Sequence, residues 1–175
     1  MKKILVVIDM QNDFIDGSLG TTEAVKIIEP VCRKIQASLE EGATVLATRD
    51  THQPDYLNTA EGRSLPVEHC IENTPGWQLN PEIARLIQGC TVIDKPSFGS
   101  FLLVEKIREL TAEEPAQLEL AGLCTDICVV SNALLLKAAF PEIPIFVDSS
   151  CCAGVTPASH EAALLTMKMC QIQVY

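Results

Sequence analysis

The chain has no apolar run long enough to span a membrane. Its amino terminus, MKKILVVIDM, offers two lysines and then only five apolar residues before Asp9. That is too short for the core of a signal peptide and far too short to cross a bilayer. No later run qualifies, so a cytoplasmic location is expected and a membrane partner is not. Positive charge is also scarce: 13 Lys and Arg stand against 23 Asp and Glu in 175 residues, a formal net charge of −10. Nucleic acids and anionic membranes both require clustered Lys and Arg, so neither is an expected partner. Internal repeats and low-complexity tracts are absent. So is any Cys-x-x-Cys pair among the eight cysteines, which excludes a zinc ribbon or a thioredoxin motif. Their scatter does not resemble a small secreted disulfide framework, and a chain of this length folds without staples. Most are expected to be reduced, buried and inert.

What the chain does have is short apolar runs alternating with longer amphipathic stretches. KILVVID, ATVLATRD, CTVIDK, QLELAGL, IPIFVD and CQIQVY read as strands. Helical patterns fall at residues 23–41, 80–88, 99–110, 126–139 and 157–169, with Gly42 and Gly89 as stops and Pro81 and Pro157 in first turns. Continuous apolar strands separated by helices imply a parallel sheet covered on both faces. The expected fold is therefore a three-layer αβα sandwich, Rossmann-like, with a mainly parallel sheet of about six strands in one domain, 1–175. Residues 50–80 form a long polar segment punctuated by Pro and Gly, and loops of that length in compact domains are usually functional.

The polar residues fall at strand ends. Asp9 closes the first strand, Asp50 the second and Lys95 the third, while Cys124 and Cys128 follow the fourth. In open parallel sheets the ligand crevice lies beyond the carboxyl ends of the strands, so these groups are expected to converge. Cys128 would lie in a first helical turn capped by Thr125 or Asp126. Lowering a thiol pKa by two units needs roughly 2.7 kcal/mol, whereas a helix dipole supplies at most ~2 kcal/mol. A cation is required, and Lys95 is the obvious one. Each residue also has a plainer reading: Cys128 as a small apolar filler, Lys95 as a solvent-seeking stem, Asp9 as a turn cap. Cys124 is expected to be core or a backbone donor, with a redox link to Cys128 as a further alternative. Asp13 and Asp16 suit turns and caps, Asp94 a structural role on the opposite face, and His160 the surface. Asp50, His52 and His69, with Glu61 as a possible fourth, offer two imidazoles and carboxylates suited to Zn²⁺, Mn²⁺ or Fe²⁺. No organic cofactor is implied.

Five segments together resemble the cysteine hydrolases of the isochorismatase-like superfamily, and more narrowly the nicotinamidases (pyrazinamidases). They are VVIDMQNDF at 6–14, TRDTH at 48–52, HCIENTPGW at 69–77, DKPSFGSF at 94–101 and GLCTDICV at 122–129. The resemblance implies a catalytic Asp9, Lys95 and Cys128, a cis peptide at Leu123–Cys124, and an oxyanion hole of the Cys124 and Cys128 backbone N–H groups. It also implies metal ligation by Asp50, His52 and His69, with Glu61 in the variable fourth place, and hydrolysis of nicotinamide to nicotinate, a step of NAD salvage. Phe14, Tyr56 and Trp77 are the candidates to wall a substrate ring. Many nicotinamidases carry another histidine soon after Asp-x-His, where this chain has HQPDYLN. Other branches cleave ureido, carbamoyl or biuret compounds without a metal, which supplies the competing expectation. A redox-sensing thiol protein is a third. Superfamily members commonly associate, so a homo-oligomer is possible.

Overall fold

The computed structural model describes all 175 residues. Its centre is a six-stranded, all-parallel sheet. The strands are β1 (Lys2–Ile8), β2 (Thr44–Asp50), β3 (Thr91–Lys95), β4 (Ala116–Leu123), β5 (Ile145–Ala153) and β6 (Gln173–Val174). They lie in the order β3-β2-β1-β4-β5-β6. The helices are α1 (Asn12–Ile15), α2 (Thr22–Lys26), α3 (Ile28–Glu40), α4 (Ala60–Ser64), α5 (Pro81–Leu86), α6 (Phe101–Leu110), α7 (Val130–Ala139) and α8 (Pro157–Met169).

Alternation along β1 divides the core, because successive strand side chains point to opposite faces. Ile4, Val6 and Ile8 join Leu118 and Leu120 beneath α6, α7 and α8. Leu5 and Val7 join Val45 and Ala47 beneath α3 and α5. Two apolar layers of comparable size therefore hold the sheet between helices, the three-layer arrangement expected from uninterrupted apolar strands.

Local differences have local causes. The helical pattern at 23–41 forms two helices rather than one, separated at Ile27. Pro30 lacks an N–H and is accommodated only within a first turn, so the helix restarts just before it. Gly42 (φ 76°) does terminate the second of them in the left-handed region. The final strand shrinks from CQIQVY to Gln173–Val174, and β5 extends to Ala153 past a register shift against β4. The long segment after β2 carries a 3-10 turn at Tyr56–Asn58 and the short helix α4.

Strand order reverses between β1 and β4, which places the topological switch point between Asp9 and Cys124. Gly122 has φ 125°, and a Cβ on it would lie 2.1 Å from the Ile8 carbonyl oxygen. Only glycine lets β4 approach β1 at that point.

Candidate active site

Three strand ends and one turn meet at the switch point. Asp9, Lys95 and Cys128 are all buried, Asp9 and Lys95 completely. Lys95 Nζ lies 2.7 Å from Asp9 Oδ2, 3.3 Å from Asp50 Oδ1 and 3.2 Å from Cys128 Sγ. The lysine does not seek solvent; the ammonium lies among two carboxylates and a thiol and also donates to the Ser97 carbonyl at 3.1 Å. Burial would pull its pKa down, but Asp9, Cys128 and Asp50 hold it protonated. Asp9 itself has φ 45°, a left-handed conformation that Asp tolerates better than most residues. Thr48 orients its carboxylate, donating from Oγ1 to Oδ1 at 2.6 Å. Sequence reading missed Thr48, although it lies within the TRDTH segment.

The Cys128 thiol is not the preformed thiolate expected from a helix dipole and a cation. Burial pushes its pKa well up, the charge of Asp9 adds to this, and Lys95 opposes. Burial also raises the Asp9 carboxyl, with Lys95 opposing and Asp50 reinforcing. Lys95 bridges the two, 2.7 Å from the Asp9 carboxyl and 3.2 Å from the Cys128 sulfur.

The capping expectation also fails. Cys128 lies in a π-helical turn, Thr125–Val129, and the residue before it, Cys124, makes no side-chain cap. The Thr125 hydroxyl pairs with His160 Nδ1 at 2.8 Å, and the Asp126 carboxylate accepts the Val155 N–H at 3.2 Å. His160 is accordingly half-buried against the turn rather than a free surface residue. The Leu123–Cys124 peptide is cis, and the Cys124 N–H has no acceptor within the chain. All eight cysteines are free thiols, with Cys170 exposed.

A second cluster borders the first. One ligand atom from each of Asp50, His52, Glu61 and His69 falls within 4.8 Å of all the others. His52 Nε2 lies 3.0 Å from Asp50 Oδ2 and 3.6 Å from Glu61 Oε1. His69 Nε2 lies 3.6 and 3.7 Å from the same two oxygens. A tetrahedral site with ligand distances near 2.1 Å has edges of about 3.4 Å, so these donors fit a single divalent ion. His69 Nδ1 faces the Val67 carbonyl at 2.8 Å, which turns Nε2 toward the cluster. Burial raises Asp50, but the hydrogen bond with His52, the nearby His69 and the charge of Lys95 outweigh it and hold the carboxylate ionised. In His69, the adjoining Asp50 carboxylate and the bond to the Val67 carbonyl outweigh burial and raise the imidazole. Glu61 is raised, chiefly by burial.

Two residues outside the expected set hold these ligands. Gln11 is fully buried; its Nε2 donates to the Asp50 and Trp77 carbonyls at 2.8 and 2.9 Å, and its Oε1 accepts the Asp50 N–H at 2.7 Å. Asp13, expected as a turn or cap residue, accepts the Cys70 N–H at 2.8 Å and so ties down the residue after His69. A buried neutral amide leaves no periodic trace in a sequence, which is why Gln11 was not legible.

Both clusters open on a cavity of about 490 Å³. Asp50, Glu61, His69, Cys124 and Cys128 line it, and Phe14, Leu19, Leu65, Phe98 and Ile127 form an apolar wall. Of the three proposed ring-walling aromatics, only Phe14 faces this space. Tyr56 is wholly buried behind the ligands, with ring centroids 4.7 Å from His52 and 5.0 Å from His69, and its hydroxyl donates to the Leu65 carbonyl. Burial, with Glu61 and Asp50, pushes that phenol up to about 12. Trp77 lies under Arg49 and donates to Thr51 Oγ1 at 2.8 Å. Core packing claimed both rings.

The isochorismatase domain model matches residues 3–174. The chain belongs to the isochorismatase family. Within it, the crystal structure of the Bacillus subtilis nicotinamidase/pyrazinamidase PncA superposes with a TM-score of 0.86 at 31% identity, covering 99% of each chain. Pyrococcus horikoshii pyrazinamidase in complex with zinc gives a TM-score of 0.82 at 27% identity, over 100% of this chain and 99% of that one. N-carbamoylsarcosine amidase from Thermoplasma acidophilum gives 0.81 at 28%, over 99% and 95%. The fold is thus shared with solved proteins that carry more than one named activity.

Proposed function

We propose that this protein hydrolyses nicotinamide to nicotinate and ammonia through a thioester on Cys128. The class, a hydrolase acting on amide C–N bonds, follows from the family and from relatives named nicotinamidase. The observation that carries the finer reading is Lys95 Nζ held 2.7 Å from Asp9 and 3.2 Å from Cys128 beside the four-donor cluster.

Asp9 takes the proton from Cys128, and Sγ attacks the carboxamide carbon while Lys95 balances the charge. The oxyanion is received by the backbone N–H groups of Cys124 and Cys128. Protonated Asp9 delivers its proton to the nitrogen, the C–N bond breaks and ammonia leaves. A water then gives a proton to Asp9 and adds to the thioester carbon, the C–S bond breaks, and Asp9 returns that proton to the departing sulfur, restoring the thiol and releasing the acid. Asp50, His52, His69 and Glu61 would hold a divalent cation such as Zn²⁺, Mn²⁺ or Fe²⁺, which supplies a Lewis-acid position for the ring nitrogen and so orients the substrate. Phe14 and Phe98 offer faces to the ring.

The N-carbamoylsarcosine amidase likeness supports a second reading, a carbamoyl amidase. The cavity argues for the first: its lining has no Lys or Arg to receive a substrate carboxylate, and it includes two acidic residues. Ammonia release from nicotinamide, compared with N-carbamoyl amino acids and with and without chelator, decides. Turnover of nicotinamide lost on chelation is expected; exclusive turnover of carbamoyl compounds, indifferent to chelator, would transfer the assignment.

A further inference from the structure

The π-helical turn that carries Cys128 has no side-chain cap of its own, so its placement depends on contacts from elsewhere. One residue supplies a contact that reaches both the nucleophile and the substrate wall. Asn132, on α7 one turn beyond Cys128, is fully buried. Its Nδ2 donates to the Cys128 carbonyl at 2.8 Å and to the Phe98 carbonyl at 2.9 Å, and its Oδ1 accepts the Ser100 N–H at 2.9 Å. The loop it grips, 96–100, also accepts Lys95 Nζ at the Ser97 carbonyl, 3.1 Å away. A closed circuit results: Cys128 Sγ to Lys95, Lys95 to Ser97, the loop to Asn132, and Asn132 back to the Cys128 carbonyl.

From this circuit we infer that Asn132 is a positioning residue. It sets the distance between the Cys128 thiol, the Lys95 ammonium and the Phe98 wall. The inference rests on the reading of Cys128 as nucleophile given above. The chemistry of the residue is specific to the task. Two donors and an acceptor must be presented from one short side chain, and only a carboxamide of this length does so. An ordinary buried asparagine would also be satisfied, but its partners would be arbitrary. Here Cys128 and Phe98 both line the substrate cavity, and Ser100 starts α6 by capping it. Neutral amides within an apolar helix give no periodic signal, so the residue was invisible in the sequence.

Three variants test the role. Asn132→Ser retains a hydroxyl that can donate back to the Cys128 carbonyl four residues earlier but releases the 96–100 loop. Asn132→Ala releases both. Asn132→Asp keeps the acceptor for Ser100 and turns both donor contacts into repulsion between oxygens. With nicotinamide as substrate, Asn132→Ser should raise KM several-fold and leave kcat within about twofold of wild type. Asn132→Ala should lower kcat by about tenfold or more, because small misplacements of reacting groups are costly. Alkylation of Cys128 by iodoacetamide, read by mass spectrometry, should slow in Asn132→Ala. In Asn132→Asp the rate relative to wild type at the same pH should be low at neutral pH and rise as pH falls and the new carboxyl regains a proton to donate. Alkylation needs no substrate, so a wild-type protein inert toward nicotinamide but showing this pattern would keep the positioning role and discard the substrate. Should Asn132→Ala fail to fold, the Ser and Asp variants carry the same comparison. Folded variants with unchanged KM, kcat and alkylation profile would overturn the inference. So would variants that lose thermal stability while every kinetic readout stays at the wild-type value.

Discussion

Two lysines in this molecule have nearly the same neighbours. Lys95 sits among Asp9, Asp50 and the weak acid Cys128. Lys34, on α3, sits among Glu119 at 2.6 Å, Asp148 at 2.9 Å and the weak acid Tyr175, whose hydroxyl is 3.2 Å away. Each is an ammonium held protonated against burial by two carboxylates. The difference lies in what adjoins them. The Lys95 cluster opens on a cavity of about 490 Å³, whereas the hollow beside Glu119 measures about 70 Å³. Around Lys34 the carboxylates are also spoken for: Asp148 accepts from Ser150 at 2.6 Å and from the Cys151 thiol, and Glu119 accepts from Tyr175. Asp9 Oδ2 has no partner beyond the ammonium. The same set of charges therefore makes a staple in one place and a reactive centre in the other, and access to a ligand decides which.

The sharpest way to break that contrast is to remove the weak acid on the reactive side. Cys128→Ala should lower amide turnover by on the order of 10⁴ or more with little change in melting temperature, because a nucleophile contributes to nearly every step. Asp9→Asn comes next; loss of a general base should lower kcat by roughly 10²–10⁴, measured as ammonia release at substrate saturation. His52→Ala should abolish stoichiometric metal in elemental analysis and raise KM by about 10–100-fold, the scale at which support of a metal site is usually felt.

On the structural side, Lys34→Met should leave kcat and KM unchanged. It should cost about 2 kcal/mol, the scale of charged hydrogen bonds, and lower the melting temperature by about 4–8 °C. The effect of smallest size is its pH dependence. Burial raises the Asp148 carboxyl, but bonds from Ser150 and Lys34 outweigh it and hold the pKa below the usual value. A group depressed in the folded state stabilises above its unfolded pKa, near 3.9, and that contribution fades as pH falls through the folded value. The raised Lys34 works in the other direction, contributing fully below about 10.4 and less above it. The stability gap between wild type and Lys34→Met should therefore be widest between these limits and narrow on both sides. A gap independent of pH would show that the Lys34 cluster is not electrostatic.

The contrast also explains what a sequence discloses. The sheet was readable because KILVVID, QLELAGL and their counterparts are uninterrupted apolar runs, and a parallel strand must be apolar on both faces. Asp9, Asp50, Lys95 and Cys128 were readable as convergent because each polar residue interrupts such a run at its carboxyl end. Tyr56 and Trp77 were misplaced because an aromatic in a loop carries no sign of which side of a ligand it will pack. Thr125 and Asp126 fit a capping pattern, yet α8 offers His160 and the turn before it the Val155 N–H as partners, and those contacts exist only after folding. Gln11, Thr48 and Asn132 act through hydrogen bonds that reach segments distant in the sequence, so nothing local distinguishes them from other polar residues. The apolar wall of Leu19, Leu65, Phe98 and Ile127 comes from four separate segments for the same reason.

The central claim is that turnover passes through a covalent bond at Cys128, and rapid acid quench during turnover tests it most directly. Protein mixed with nicotinamide, quenched within one turnover and digested, should show a nicotinoyl group on the peptide containing Cys128 and on no other cysteine. Rapid ammonia release with that peptide unmodified at every quench time, or with the acyl group on Cys124 instead, would contradict it.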